Sequence, residues 1–126
     1  MKDDIPPFIG ESQIGMVLDG RGIEKEGRIE MVKVVMIAEY QLKPNCRENF
    51  ARVMRENARG TLDEIDGCEQ FDVLISDDDP NQAFAYEVFE DDAAYRRYGA
   101  SGRVPRIREA YKDMVVERRI VRCLSE

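Results

Sequence analysis

The sequence predicts an α+β domain of the ferredoxin-like type, with the element order βαββαβ and one antiparallel four-stranded sheet that carries its helices on one face. Two observations predict this class. Apolar residues recur at strand spacing in four segments, and between these segments they recur every three or four positions, as in amphipathic helices. The 126 residues are enough for one hydrophobic core and too few for two ordinary domains.

The first strand is predicted over residues 32–42. Apolar side chains occupy both parities of this segment: Val34, Met36 and Ala38 on one, Val35 and Ile37 on the other. A strand of this composition is buried on both faces of its sheet.

The next segment, residues 45–65, is predicted as one amphipathic helix that ends before Gly67. Its apolar positions include Cys46, Phe50, Val53, Met54, Ala58, Leu62 and Ile65. Gly60 lies within the helix and weakens it by about 1 kcal/mol relative to alanine.

An antiparallel hairpin follows, with strands over residues 68–76 and 82–90. The link between them, residues 77–81, is polar and contains Pro80, as is typical of a turn. Asp91 and Asp92 then precede a short helix, which we expect Gly99 and Gly102 to break. A second helical piece is predicted over residues 104–114 with Pro105 in its first turn, and the last strand over 114–124.

Residues 1–30 differ from the rest and are predicted to be an N-terminal arm, while residues 31–126 form the domain. The arm holds two adjacent prolines and several glycines, and residues 14–18 are predicted as a short strand before Asp19 and Gly20. Its apolar residues need a surface to cover, which a partner subunit would provide.

The predicted sheet is apolar on both faces, and the helices cover only one. A second copy of the chain, packed sheet against sheet, is the simplest cover for the other face. The sequence therefore predicts a homodimer.

The composition excludes several classes of function. The formal net charge is −7, which argues against nucleic acid or an anionic membrane as the main partner. The chain has no histidine, which removes His-ligated metal and haem and every catalytic site that needs imidazole. Its three cysteines form no CxxC pair, and an odd number fits a reduced, cytoplasmic protein. No apolar run is long enough for a signal peptide or a membrane span.

Four short motifs resemble the antibiotic biosynthesis monooxygenase-like family of dimeric α+β barrels. They are Lys43-Pro44-Asn45 followed by Phe50, the segment 67–73 that opens the second strand, Asp79-Pro80-Asn81, and the segment 86–91 that leads into the second helix. The resemblance covers about residues 32–124 and rests on the order and spacing of these motifs.

The resemblance implies a fold and a range of activities. Enzymes of the family include small oxygenases that oxidise quinols, anthrones and related polyketide aromatics without metal or flavin, so no cofactor is expected. Other members degrade haem, and one branch processes a sugar phosphate signal. The family often places histidines in and just after the second helix, where this chain has Tyr98 and Arg103. Haem degradation is excluded, because its histidine and tryptophan are absent.

In a cofactor-free oxygenase the protein deprotonates an electron-rich substrate and stabilises its anion in an apolar cavity. The expected catalytic residues are Glu87 as a buried base of raised pKa, Tyr98 as a hydrogen-bonding group and Arg103 as the oxyanion partner. The expected substrate-binding residues are Tyr40, Phe71, Asp72, Phe84 and Tyr86.

Several alternatives stay open at this stage. Glu87 could instead pair with Arg118, Arg119 or Arg122 of the last strand, or lie close to Glu39, where like charge would raise one pKa. Arg103 is equally a candidate for a solvated surface charge, and the arginine run that contains it could alternatively receive an anionic group of the substrate. That run consists of Arg96, Arg97, Arg103, Arg106 and Arg108. A non-catalytic ligand-binding or regulatory dimer, and an isomerase or lyase for a small polar metabolite, are the alternative functions.

Overall fold

The computed structural model describes residues 23–25, 28–30 and 32–125, the first two ranges as backbone strands. The elements are β1 (Ile23–Lys25), β2 (Arg28–Glu30), β3 (Lys33–Leu42), α1 (Arg47–Glu64), β4 (Cys68–Ile75), β5 (Gln82–Phe89), α2 (Asp92–Ala100), α3 (Arg103–Tyr111) and β6 (Val115–Ser125). From β3 onward the order is βαββαβ, with the second helical unit split into two. The predicted ferredoxin-like fold is confirmed, and the element bounds lie within a few residues of the prediction.

The arm and its expected strand at residues 14–18 fall mostly outside the described residues. Within it the structure describes the antiparallel pair formed by β1 and β2. In the domain, Gly99 does not break the helix as expected, because α2 continues to Ala100. Gly102 does separate the two helical pieces. Its positive φ of 83° is a conformation that glycine adopts without steric cost.

The main sheet is antiparallel with the strand order β4-β5-β3-β6. Residues of β3 alternate between the two faces, and Val34, Met36, Ala38, Tyr40 and Leu42 all lie on the buried face. The helices pack on this face, which we call the inner face. The side chains between them, such as Val35 and Ile37, lie on the outer face.

The core lies between the inner face and the helices, and aromatic rings fill much of it. The ring centroids of Tyr40 and Phe50 are 4.8 Å apart, and Tyr111 lies 5.6 Å from each. Phe89 contacts Tyr95 and Tyr98 of α2 at the other end of the sheet. These contacts hold all three helices against the same sheet: α1 through Phe50, α2 through its two tyrosines and α3 through Tyr111.

The outer face has apolar side chains with no cover among the described residues. Ile37 is 39% exposed, Val121, its neighbour on β6, is 41% exposed, and Leu74 on β4 is 51% exposed. The expectation of two apolar faces is therefore met in residues 32–125. None of the described helices has both the length and the apolar character needed to cross a bilayer.

Candidate functional site

A cavity that is partly open to solvent lies between the inner face of the sheet and the helices, and its space together with the open mouth amounts to about 710 Å³. Its lining residues are Met36, Tyr40, Met54, Phe71, Glu87, Tyr95, Tyr98, Val104, Ile107, Arg108, Tyr111, Ile120 and Arg122. Most of this wall is apolar or aromatic. Three of its side chains carry a carboxyl or guanidinium group: Glu87, Arg108 and Arg122.

One row of residues across the sheet forms the floor of the cavity. Phe71 on β4 is paired with Glu87 on β5, Glu87 with Met36 on β3, and Met36 with Arg122 on β6. All four line the cavity. The register of the strands therefore places a carboxyl group and a guanidinium group in the same row, with the Met36 side chain between them.

The roof of the cavity comes from the three helices. α1 contributes Met54, α2 contributes Tyr95 and Tyr98, and α3 contributes residues 104, 107, 108 and 111. The α2 helix is fixed at its start by Asp91, whose carboxylate accepts a hydrogen bond from the Ala94 backbone N–H at 2.8 Å. This cap sets the direction in which its tyrosines enter the core.

Glu87 is the one carboxyl group among the described residues that line the cavity. It is half-buried because its carboxyl group borders the cavity, with protein on the other sides. No described side chain donates a hydrogen bond or forms an ion pair to it. Burial therefore acts without compensation and raises the pKa of Glu87 from 4.5 to about 8. Near neutral pH the group is mostly protonated, and once ionised it is a stronger base than an ordinary carboxylate.

Tyr98 is held in place by a polar side chain of α1. The Asn57 Nδ2 group donates to the Tyr98 hydroxyl at 3.2 Å, and the Arg103 Nη1 group donates to Asn57 Oδ1 at 3.4 Å. Burial raises the pKa of Tyr98 well above its usual range. The phenol therefore stays neutral and serves as a hydrogen-bonding group and not as a base.

Arg103 lies outside the cavity and pairs with the carboxylate of Glu64 on α1. Its guanidinium group sits directly over Gly60, where an added Cβ would clash with Arg103 Nη2. The glycine that the sequence marks as a weak point of the helix is thus the place where this side chain crosses α1.

At the other side of the cavity a buried arginine holds Tyr111. The Arg118 Nη1 group donates to the Tyr111 hydroxyl at 2.7 Å, and the guanidinium group lies 5.9 Å from the centre of the same ring. Arg122, four residues further along β6 and on the same face, donates from Nη2 to Asp92 Oδ1 at 2.7 Å. Both side chains of this second pair are 4% exposed.

Only part of the predicted site comes together in the cavity. Glu87, Tyr98, Tyr40 and Phe71 line it. The other predicted residues do not: Asp72, Phe84 and Tyr86 lie on the outer face, and Arg103 reaches the site only through Asn57. Adjacent residues of a strand point to opposite faces, so Tyr86 and Glu87 cannot both face one cavity.

Two expected pairings of Glu87 are absent from the described residues. Glu39 lies on the outer face opposite Phe84, where it accepts a hydrogen bond from Gln82, so the expected proximity of the two glutamates is wrong. The arginines of β6 do not neutralise Glu87 either. Arg118 donates to Tyr111 and Arg122 to Asp92, while Arg119 points to the outer face.

Sequence reasoning missed several lining residues. Tyr95, Tyr111, Met36, Met54, Val104, Ile107 and Ile120 are apolar or aromatic and were not separable from ordinary core positions. The charged residues Arg108 and Arg122 were also left out of the predicted site. Arg122 was detectable, because it and Arg118, four residues earlier, lie on the same parity of β6 as the apolar Ile120. A charged residue on the buried face of a strand indicates an ion pair or a binding site, because charged side chains are rarely buried otherwise.

Comparisons with known proteins agree with this fold. The sequence model described as antibiotic biosynthesis monooxygenase matches residues 33–115, well over half of the chain. A candidate antibiotic biosynthesis monooxygenase from Nitrosomonas europaea is 25% identical, with a TM-score of 0.62, over 85% of this chain and 92% of its own. The protein PA3566 of Pseudomonas aeruginosa is 20% identical, with a TM-score of 0.67, over 75% of this chain and 95% of its own.

The protein SO0527 of Shewanella oneidensis is 18% identical, with a TM-score of 0.69, over 78% of this chain and 95% of its own. The similarities below 25% identity establish the fold alone. No curated protein sequence matches this chain significantly.

Proposed function

This chain belongs to the antibiotic biosynthesis monooxygenase family, and from that membership and the cavity we propose that it is a cofactor-independent monooxygenase acting on a small aromatic, quinol or polyketide-type substrate. Glu87 is the proposed base and Tyr98 a proposed hydrogen-bond partner of the substrate. Tyr40 and Phe71 are proposed to contact its rings.

The observation that carries this proposal is the solitary carboxyl group on an otherwise apolar and aromatic wall. Its raised pKa of about 8 approaches that of a phenol, which is about 10. Transfer of a proton from an electron-rich phenol or from an acidic C–H beside a carbonyl is therefore far less uphill than it is to an ordinary carboxylate.

The proposed reaction needs only the substrate and molecular oxygen. The Glu87 carboxylate takes a proton, the substrate anion gives its electrons to oxygen as a C–O bond forms, and the peroxide anion takes the proton back from Glu87. The resulting hydroperoxide loses its O–O bond and a C–H proton, so that a CH₂ group becomes a carbonyl and the second oxygen atom leaves as water. The substrate carbon is oxidised, oxygen is reduced, and no external reductant is used.

The remaining side chains support this chemistry by position and charge. Asn57 fixes the Tyr98 hydroxyl, and Arg103 in turn fixes the Asn57 amide, so Arg103 is proposed as a positioning residue and not as the oxyanion partner. The arginines in the cavity wall stabilise an anion, and the apolar wall limits water around it.

Oxygen consumption with a panel of anthrones and quinols tests the proposal. We expect turnover by the unmodified chain, and a loss of about 100-fold or more in Glu87→Gln, in line with the usual contribution of a general base. Glu39→Gln, on the outer face, is the matched control and keeps its activity. No turnover across the panel, or full activity of Glu87→Gln, contradicts the proposal.

A non-catalytic binding or regulatory dimer is the second candidate, and the absence of histidine from the sequence favours it. It requires tight binding of a small molecule without oxygen consumption. The third candidate, an isomerase or lyase for a small polar metabolite, has less support, because aromatic and aliphatic side chains form most of the cavity wall.

We further propose that the outer face is the homodimer interface, with Ile37, Leu74 and Val121 among its apolar contacts. Small-molecule substrate and a second copy of the chain are the proposed partners. The cytoplasmic location expected from the three cysteines stays a prediction, and the cysteines are free in the described structure.

A further inference from the structure

We propose that the substrate of this cavity is an aromatic anion, whose negatively charged oxygen atoms bind the guanidinium group of Arg122. This inference rests on the proposed function for the site and names the chemical class of its ligand: a planar ring system with a carboxylate or an ionised enol at one end.

The Arg122 side chain lines the cavity with unused donors. Only Nη2 has an acceptor among the described residues, the Asp92 carboxylate at 2.7 Å, while the buried Nε and Nη1 groups have none there. The side chain is 4% exposed, so solvent does not replace the missing acceptors. Buried donors in proteins are almost always satisfied, and an oxygen of a bound ligand would satisfy these.

The charges around this group favour an anion. Asp92 is the one carboxylate that pairs with Arg122 among the described residues, and it is shared, because its second oxygen accepts from Arg96 Nε at 2.7 Å. The single carboxyl group among the described residues of the cavity wall, Glu87, is mostly neutral near pH 7. An anionic ligand oxygen therefore supplies the acceptor that the buried Nε and Nη1 groups of Arg122 lack among the described residues.

The register of the sheet sets the length of the ligand. Glu87 and Arg122 lie in one row with Met36 between them, so their backbones are two strand spacings apart, roughly 10 Å. A bicyclic or tricyclic ring system spans this distance. The anionic end of this ligand lies at Arg122, its rings lie over Met36 and beside Tyr95, and its reacting carbon lies near Glu87. The ring centre of Tyr95 is 4.8 Å from the Arg122 guanidinium carbon, which places Tyr95 beside the anionic end.

A matched pair of probes tests the inference. Binding of 2-naphthoate and of its neutral counterpart 2-naphthalenemethanol is measured at pH 7 by calorimetry, without any requirement for turnover. We expect 2-naphthoate to bind at least about tenfold more tightly, since charge-assisted hydrogen bonds to a buried guanidinium group are strong. Arg122→Lys keeps a positive charge for Asp92 but loses the planar donors, and it should lower the affinity for 2-naphthoate about tenfold and leave that for the alcohol unchanged.

Arg122→Met removes the charge as well and should make the two affinities equal. If this variant does not fold, Arg122→Lys decides the question. Arg119→Lys, on the outer face of the same strand, is the control and should change neither affinity. Equal affinities in the unmodified chain, no binding of either probe, or the same loss in Arg119→Lys overturns the inference. Oxygen consumption is measured separately, so selective binding of 2-naphthoate without turnover would contradict the oxygenase and leave the anion site in place.

Discussion

Replacement of Glu87 by glutamine should make the protein more stable at high pH, by an amount that grows with pH. Glutamine has nearly the same shape but cannot ionise. In the folded chain the carboxyl group is buried without a described partner, and its pKa is raised from 4.5 to about 8 by that burial. In the unfolded chain it returns to its ordinary value.

The difference between the two pKa values sets the magnitude. Below pH 4.5 both states hold the proton, and Glu87 contributes no pH dependence. Between pH 4.5 and about 8 the unfolded chain releases the proton while the folded chain keeps it, so the free energy of unfolding falls by about 1.4 kcal/mol per pH unit. Above pH 8 both states are ionised and the loss levels off at about 5 kcal/mol, as an order of magnitude.

Urea unfolding followed by circular dichroism at pH 5, 6, 7, 8 and 9 measures this effect. Protein concentration is held constant, because an oligomer gains apparent stability with concentration. We expect the advantage of Glu87→Gln over the unmodified chain to rise through this range and to level off near its upper end. Glu117→Gln, at an exposed position of β6, controls for the loss of one carboxylate. A Glu87→Gln advantage that is the same at every pH would refute the reasoning.

Three further predictions concern the fold and the site. Gly67→Ala should lower the free energy of unfolding by about 2–4 kcal/mol, because φ is +92° and the new Cβ would lie 2.5 Å from Ala94 Cβ. Gly102→Ala should lower it by only about 1 kcal/mol, because φ is +83° but the new Cβ would have no atom within 4 Å. Equal losses of the two variants in urea unfolding would contradict this. Ile37→Lys should give the 14.5 kDa monomer by light scattering where the unmodified chain has twice that mass, and an unchanged mass in Ile37→Lys would contradict the proposed interface. Tyr98→Phe should lower oxygen consumption about tenfold or more and cost about 1 kcal/mol of stability, because the Asn57 Nδ2 group loses the hydroxyl that accepts its hydrogen bond. Unchanged turnover would remove Tyr98 from the proposed site.

The sequence was sufficient for the fold because its apolar spacing differs clearly between strands and helices. The segment 82–89 shows what it could not resolve. Phe84, Tyr86 and Val88 on one parity, and Ala85, Glu87 and Phe89 on the other, are comparably apolar, so the pattern does not tell which parity faces the helices. The structure assigns Glu87 to the inner face and Tyr86 to the outer face. The alternation itself could have excluded a site containing both.

The role of Arg103 was unpredictable for a different reason. Its position after α2 follows from the sequence, but the direction of its side chain depends on how closely α3 approaches α1. That approach uses the missing side chain of Gly60, and the guanidinium group lies over the helix and meets Glu64 and Asn57. Such a contact between segments far apart in the chain depends on tertiary packing, which local patterns do not encode.

The ion pair between Asp92 and Arg122 ties the first turn of α2 to the last strand of the sheet, and this gives α2 and α3 unequal freedom. Separation of α2 from the sheet would leave the Arg122 guanidinium group without its carboxylate in a poorly solvated place, whereas α3 is joined to α2 through Ser101 and the glycine at 102. We therefore expect a ligand to enter and leave the cavity alongside α3, past Val104 and Ile107, while α2 stays packed against the sheet.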